Sequence, residues 1–161
     1  MGEDWGKWKT YFTIKKYDSE EDHQNGKVSE VSKFEKNLFL TEGINKLWNL
    51  IANIETAGYF SESNTYIGVG DGTTSETESQ TGLQGANTFY SPMDSGYPTV
   101  SGDTITFYST FGGSEANFDW QEFTIANGGS DGDININRKV DNQGTKVSGA
   151  VWEFKVELQI T

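Results

Sequence analysis

The chain of 161 residues contains no cysteine, one histidine (His23), two prolines and only 12 lysines and arginines. Without cysteine there is no disulfide, no thiol nucleophile and no thiolate metal site, and a single histidine cannot build a multi-histidine zinc site. The 12 basic residues face 24 aspartates and glutamates, a formal net charge of −12. Affinity for phosphate backbones depends on basic contacts that release counterions, so this balance excludes nucleic acid as the principal partner. No apolar run approaches the ~18 residues that crossing a bilayer requires. Met1-Gly2-Glu3-Asp4-Trp5 has neither the basic nor the apolar region of a signal peptide. A soluble protein made in a cytoplasm, with no membrane partner, is expected.

Apolar residues are also scarce, at 34%, whereas aromatics reach 14% and glycines number 19. A few large rings must then carry much of the packing in a chain rich in turns. The length favours one domain around one core.

The strongest pattern closes the chain. Trp152, Phe154, Val156, Leu158 and Ile160 fall on one side of a pleat, and Glu153, Lys155, Glu157 and Gln159 on the other. A slip of one residue would put five large apolar groups into water, so the register is well specified. Such a strand needs an opposing apolar layer, as in two packed sheets.

Residues 7–17 alternate with Trp8, Phe12 and Ile14 on one face and predict a strand. The polar stretch 18–26, ending in Asn25-Gly26, predicts an exposed loop. Phe34, Leu38 and Leu40 keep a period of two and predict a second strand over 34–40. At Thr41, a capping residue, the period changes. Ile44, Leu47, Trp48 and Ile51 then form a stripe that predicts one short helix over about 42–53, laid against a sheet.

Tyr66–Gly70 predicts a short strand running into an acidic loop, 71–80. Residues 81–100 show no sustained period and are expected to gain order from a neighbouring subunit or scaffold. Residues 104–111 alternate, with Ile105, Phe107 and Phe111 inward. Between Phe118/Trp120 and Phe123/Ile125 the parity changes, which predicts a β-bulge near Gln121 and Glu122. A turn at 127–133 and a returning strand at 134–140 complete a hairpin. The whole predicts a mainly β chain, an antiparallel β-sandwich with the jelly roll among its topologies and one short helix. Residues 1–30 are expected to form an N-terminal strand or arm with an acidic loop, and 31–161 the sandwich.

The chemistry-bearing candidates are weak. Gly68-Val69-Gly70-Asp71-Gly72 lacks the spacing of a dinucleotide fingerprint and the lysine of a phosphate loop. His23 has no nucleophile signature beside it. Neither Asp131/Asp133 nor Asp18/Glu20/Glu21/Asp22 fits an EF-hand, and the 24 acids single out no glycosidase pair. No catalytic, cofactor-binding or metal-binding residue is predicted, and the chain reads as a non-enzyme without cofactor. Trp5, Trp8, Phe89, Tyr90 and Tyr97 are the candidate interface aromatics, as an intersubunit contact or a sugar platform. Glu122 and Arg138 sit on neighbouring strands of one hairpin. They are the candidate structural ion pair, which would fix register without catalysing anything.

Three segments together resemble structural proteins of tailed bacteriophages: Asn37-Leu38-Phe39-Leu40-Thr41-Glu42-Gly43-Ile44 leading to Tyr66–Thr74, Asn117–Ile125, and Asn137-Arg138-Lys139-Val140 with Trp152–Ile160. The likeness spans most of the chain from Asn37 onward and leaves residues 1–30 unmatched. The resemblance implies a non-enzymatic virion protein made in the host cytoplasm. The resemblance itself does not choose between capsid and tail. The lack of a catalytic constellation, the acidity and the loops favour a decoration (cement) protein on the outer capsid surface, partnered by the major capsid protein and expected as a homotrimer; the alternative is a tail-fibre or receptor-binding module that contacts host glycans.

Overall fold

A computed structural model of the chain describes residues 7–161, so the candidate interface residue Trp5 lies outside the described residues. In chain order the elements are β1 (Trp8–Tyr17), α1 (Glu20–Gln24), β2 (Glu30–Glu35), β3 (Leu38–Phe39), α2 (Thr41–Ile51), β4 (Thr65–Gly70), β5 (Thr88–Pro92), β6 (Thr99–Ser101), β7 (Thr104–Phe111), β8 (Glu122–Asn127), β9 (Ile134–Asn135), β10 (Asn137–Val140) and β11 (Val151–Ile160). They make two antiparallel sheets packed face to face. The first has the order β2-β1-β11-β7-β6, and the second β3-β10-β8-β4-β5 with β9 added beside β8.

β11 supplies the centre of the first sheet. Trp152, Phe154, Val156 and Leu158 are buried as their alternation requires, while Ile160 at the frayed end is about half exposed. Across the core, Phe123 and Ile125 of β8 and Ile67 and Val69 of β4 form the opposing layer. Trp120 is fully buried between them, edge-on to Phe111 and Trp152 at 4.7 Å from each. Phe12 of β1 stacks on Phe34 of β2 at 4.8 Å. Each such ring contributes about 1.5–3 kcal/mol by leaving water, which lets a chain poor in aliphatic residues hold a core.

Several expectations are corrected. The strand expected near the start of the chain belongs to the sandwich: β1 lies between β2 and β11 and pairs with β11 over its full length, from Trp8↔Ile160 to Tyr17↔Val151. The single strand expected over 34–40 is two strands in different sheets. Phe34 stays in the first sheet, Lys36 adopts a left-handed φ of 68°, and Leu38–Phe39 pair with β10 in the second. The loop expected at 18–26 contains a second helix, α1, whose N-cap Ser19 accepts a hydrogen bond from the Asp22 amide. Residues 81–100 contain β5 and β6 and are ordered within the chain itself.

The bulge lies on the partner strand. Lys139 pairs with Phe123, yet Asn135 pairs with Ala126, so three residues, 136–138, lie opposite two, 124–125. The extra residue falls at Ile136–Arg138. It lets Ile136 enter the core while Arg138 stays on the outer face with Glu122.

Candidate functional site

β8 turns Glu122 to the outer face of the second sheet, where its carboxylate is nevertheless fully buried. Oε2 accepts from Arg138 Nε at 2.7 Å and lies 2.6 Å from Arg138 Nη2. Oε1 accepts from the amides of Gly72, Gln84 and Gly85 at 3.2, 2.9 and 2.7 Å. Arg138 Nη1 donates to the Thr74 carbonyl at 2.8 Å and to Gln80 Oε1 at 3.0 Å. Glycines make this burial geometrically feasible: a β-carbon at Gly70 or Gly72 would strike the Glu122 carboxyl. The Gly68–Gly72 run therefore accommodates a buried side chain of the protein itself.

The ion pair organises the acidic loop from the inside. Glu76 Oε1 accepts from the Val140 amide at 2.6 Å, and the Glu78 carbonyl accepts from the Thr41 amide at 2.9 Å, tying the loop to β10 and to the start of α2. Beside it, Tyr90 spreads across Gly68 and donates to Asp131 Oδ1 at 2.7 Å. Burial first, then the hydrogen bond and charge of Asp131, push the Tyr90 hydroxyl well above the ordinary tyrosine range. These contacts are those of a polar secondary core that holds Glu122, Arg138 and Tyr90 in place.

The stripe on α2 is where the structure departs furthest from expectation. Within α2 only Gly43 is buried, because a β-carbon there would collide with the Ile136 backbone. The helix is pinned at its first turn, where Glu42 Oε1 accepts from the Asn135 amide at 2.9 Å. Ile44, Trp48 (60% exposed) and Ile51 (74% exposed) remain in contact with solvent. With Leu47, Phe39 and Trp8 they line an apolar groove of about 230 Å³. Trp8 stands edge-on to Phe39 at 5.1 Å, closing the groove on the β1 side. A neighbouring depression shares Trp8 and is lined by Lys9, Glu35, Lys36 and Asn37 among others. The described residues thus leave a contiguous apolar surface exposed here.

On the outer face of the first sheet, Glu153 accepts from Tyr17 Oη at 3.1 Å and lies 3.0 Å from His23 Nε2. Burial raises the Glu153 carboxyl, but hydrogen bonds from Tyr108, His23 and Tyr17 and the charge of Lys15 outweigh it, leaving the group below the usual carboxylate range. Lys146 is buried with Nζ 2.7 Å from the Gly112 carbonyl, 2.9 Å from that of Glu115 and 2.9 Å from Asn117 Oδ1. Among the described residues no three histidines or acids converge as a metal site. Asp131 is occupied by Thr88 and Tyr90, and Asp22 by Ser19 and Lys27.

The candidate aromatics do not form one surface. Trp8 lines the groove, Phe89 turns towards Phe111 in the core, Tyr90 covers the second sheet, and Tyr97 stacks on Tyr108 at 5.1 Å. Glu122 and Arg138 are together. The residues that sequence reasoning missed are the groove formers on α2, whose stripe was expected to lie against a sheet, and Phe39, whose parity is opposite to that of Phe34, Leu38 and Leu40. The lone signal was the length of the stripe, with two large residues, Trp48 and Ile51, beyond Leu47. The chain matches no protein-family model, no curated protein sequence and no solved structure.

Proposed function

We propose that this chain is a non-enzymatic virion structural protein, a decoration protein that docks on the outer capsid lattice and reinforces it by bridging subunits. The observation that carries the reading is the apolar groove of Trp8, Phe39 and α2, left open by the described residues of an otherwise acidic chain. An apolar patch held by a stiff scaffold suits docking, whereas the buried Glu122, Arg138 and Lys146 are held by the protein's own hydrogen bonds. The net charge of −12 suits an outer surface remote from packaged DNA. Binding only the assembled shell stabilises that state by mass action, so expansion or rupture must break these contacts too. A trimer at local threefold positions is the assembly this reading favours.

The test is binding of the purified protein to shells lacking decoration, with its position found by cryo-electron microscopy. Saturable binding weakened at least ten-fold by Trp48→Asp is expected. Failure to bind shells, with adsorption to host cells instead, overturns the reading in favour of a receptor-binding module. The Tyr97–Tyr108 stack, on a face that also carries Lys15 and Glu153, would be that module's sugar platform.

A further inference from the structure

On the outer face of the first sheet, Thr13 of β1 lies opposite Lys33 of β2 on one side and Lys155 of β11 on the other. The two lysines flank it across two strand spacings, about 10 Å from backbone to backbone. Tyr11 and Lys15, two residues away along β1 in either direction, project from the same face. Thr13 is the short member of this set, so the surface dips above it. Two adjoining hollows of about 390 and 310 Å³ are both lined by Thr13, Lys33 and Lys155. Tyr11 borders the first and Tyr108 the second.

The second hollow has a charge opposite to that of the chain. Lys15, Lys33 and Lys155 all line it, in a protein with twice as many acids as bases. Its one acid, Glu153, is already engaged by Tyr17, His23 and Tyr108, and lies 3.9 Å from Lys15. In the first hollow Glu157 pairs with Lys155 at 3.0 Å, and Glu35 stands at its rim. Lys33 has no ion-pair partner, and the Thr13 hydroxyl no hydrogen-bond partner, among the described residues. A hollow lined by one sign of charge concentrates counter-ions. The Tyr108 ring is fixed in advance, stacked on Tyr97 at 5.1 Å with its hydroxyl held by Glu153.

We propose that this depression binds an acidic saccharide, its carboxylate or sulfate above Thr13 among Lys15, Lys33 and Lys155, and a sugar ring against Tyr108. A hollow of this size holds a small ligand, and an aromatic ring with a polar tip suits the C–H face of a pyranose. The position favours a sugar over an acidic peptide. Peptides that bind sheets add to a free edge, where unpaired backbone groups hold them, whereas β1 is paired on both sides, with β2 and with β11. None of these residues lines the groove of Trp8 and α2, so the inference is independent of docking on a shell.

The test titrates the 161-residue chain with a galacturonate trisaccharide, a sulfated galactose trisaccharide, their neutral galactose counterpart, inorganic sulfate and a tetra-aspartate peptide. Calorimetry measures affinity and amide chemical shifts locate the site. Saturable binding of at least one acidic trisaccharide is expected, at least ten-fold tighter than the neutral one, with shifts centred on residues 11–15, 31–35, 108 and 153–157. Lys33→Ala and Lys155→Ala, neither of them a buried side chain, should each weaken it roughly five-fold. Thr13→Val, which keeps the shape and removes the hydroxyl, should weaken it roughly three-fold. Added salt should weaken binding of the parent chain and leave less to lose in the lysine variants. Failure of both acidic trisaccharides to bind would overturn the proposal, as would equal binding of the neutral one. Sulfate bound as tightly as the trisaccharides would reduce the site to an anion site, and tighter binding of the peptide would assign it to a protein partner. Either result also overturns the proposal.

Discussion

Glu122 joins Arg138 to the backbone of the 72–85 loop: Oε2 faces the guanidinium, Oε1 accepts from the Gly72 and Gly85 amides, and the Gln84 amide donates to both oxygens. A strand of the sandwich and a loop that carries no secondary structure over most of its length are thereby held by one side chain.

Replacing Glu122 with Gln leaves a buried guanidinium without its counter-charge. The expected cost is about 3–5 kcal/mol, measured by denaturant unfolding, with amide exchange across 71–85 accelerating more than in the core strands. Arg138→Met should act through the same network. The double variant should therefore cost less than the sum of the two singles, and full additivity would show that the two groups act separately.

Gly43→Ala tests how α2 is anchored. The added β-carbon meets the Ile136 backbone, which cannot give way without disturbing the bulge. A loss of about 1–3 kcal/mol is expected, although alanine is the better helix former. A stabilised variant would mean that the helix is not seated at Ile136.

Lys146→Met removes the ammonium from three acceptors and leaves the Gly112 and Glu115 carbonyls without this donor. Roughly 2–4 kcal/mol should be lost, at about 1–3 kcal/mol for each buried group left unpaired and with partial relief from relaxation. Thermal unfolding measures it. A variant as stable as the parent would show that water replaces the amine at no cost.

Glu153 predicts an acid limb. Its carboxyl titrates lower in the folded chain than in the unfolded one, so the unfolded state takes up the proton first as pH falls. The stability this group contributes is complete above the ordinary carboxylate range and is lost below it. Glu153→Gln should flatten stability between about pH 5 and 3 by roughly 1 kcal/mol, a charged hydrogen bond discounted for partial exposure. An unchanged acid limb in the variant would assign the slope to other carboxylates.

Much of the sandwich was legible because a pleat writes its burial into alternate residues. Trp152 to Leu158, Ile105 to Phe111 and Phe12 with Ile14 all enter the core as their spacing requires. The pairing of Glu122 with Arg138 was legible from their place on one hairpin. The sheet change at Lys36 was not, because Phe34, Leu38 and Leu40 keep one parity straight through a left-handed residue. Nor was the bulge at Ile136–Arg138, since Ile136 and Arg138 share one parity in the sequence and only the extra residue sends them to opposite faces. The stripe on α2 misled for a different reason. A helical period reports an apolar face but not whether another part of the fold covers it. Ser19-Glu20-Glu21-Asp22 did carry a readable signal for α1, a capping serine followed by three acids at the positive end of the helix dipole.

The pairing of β1 with β11 joins Trp8 to Ile160 along the middle of the first sheet. A ribosome must release β11 before that seam can form, so the rings of Phe12, Phe34 and Phe107 wait without their central neighbour until residues 151–160 have emerged. Such dependence on distant contacts slows folding and prolongs the exposure of unpaired edges. The nascent chain should thus be a substrate for holding chaperones, released as a single late event when residues 151–160 arrive.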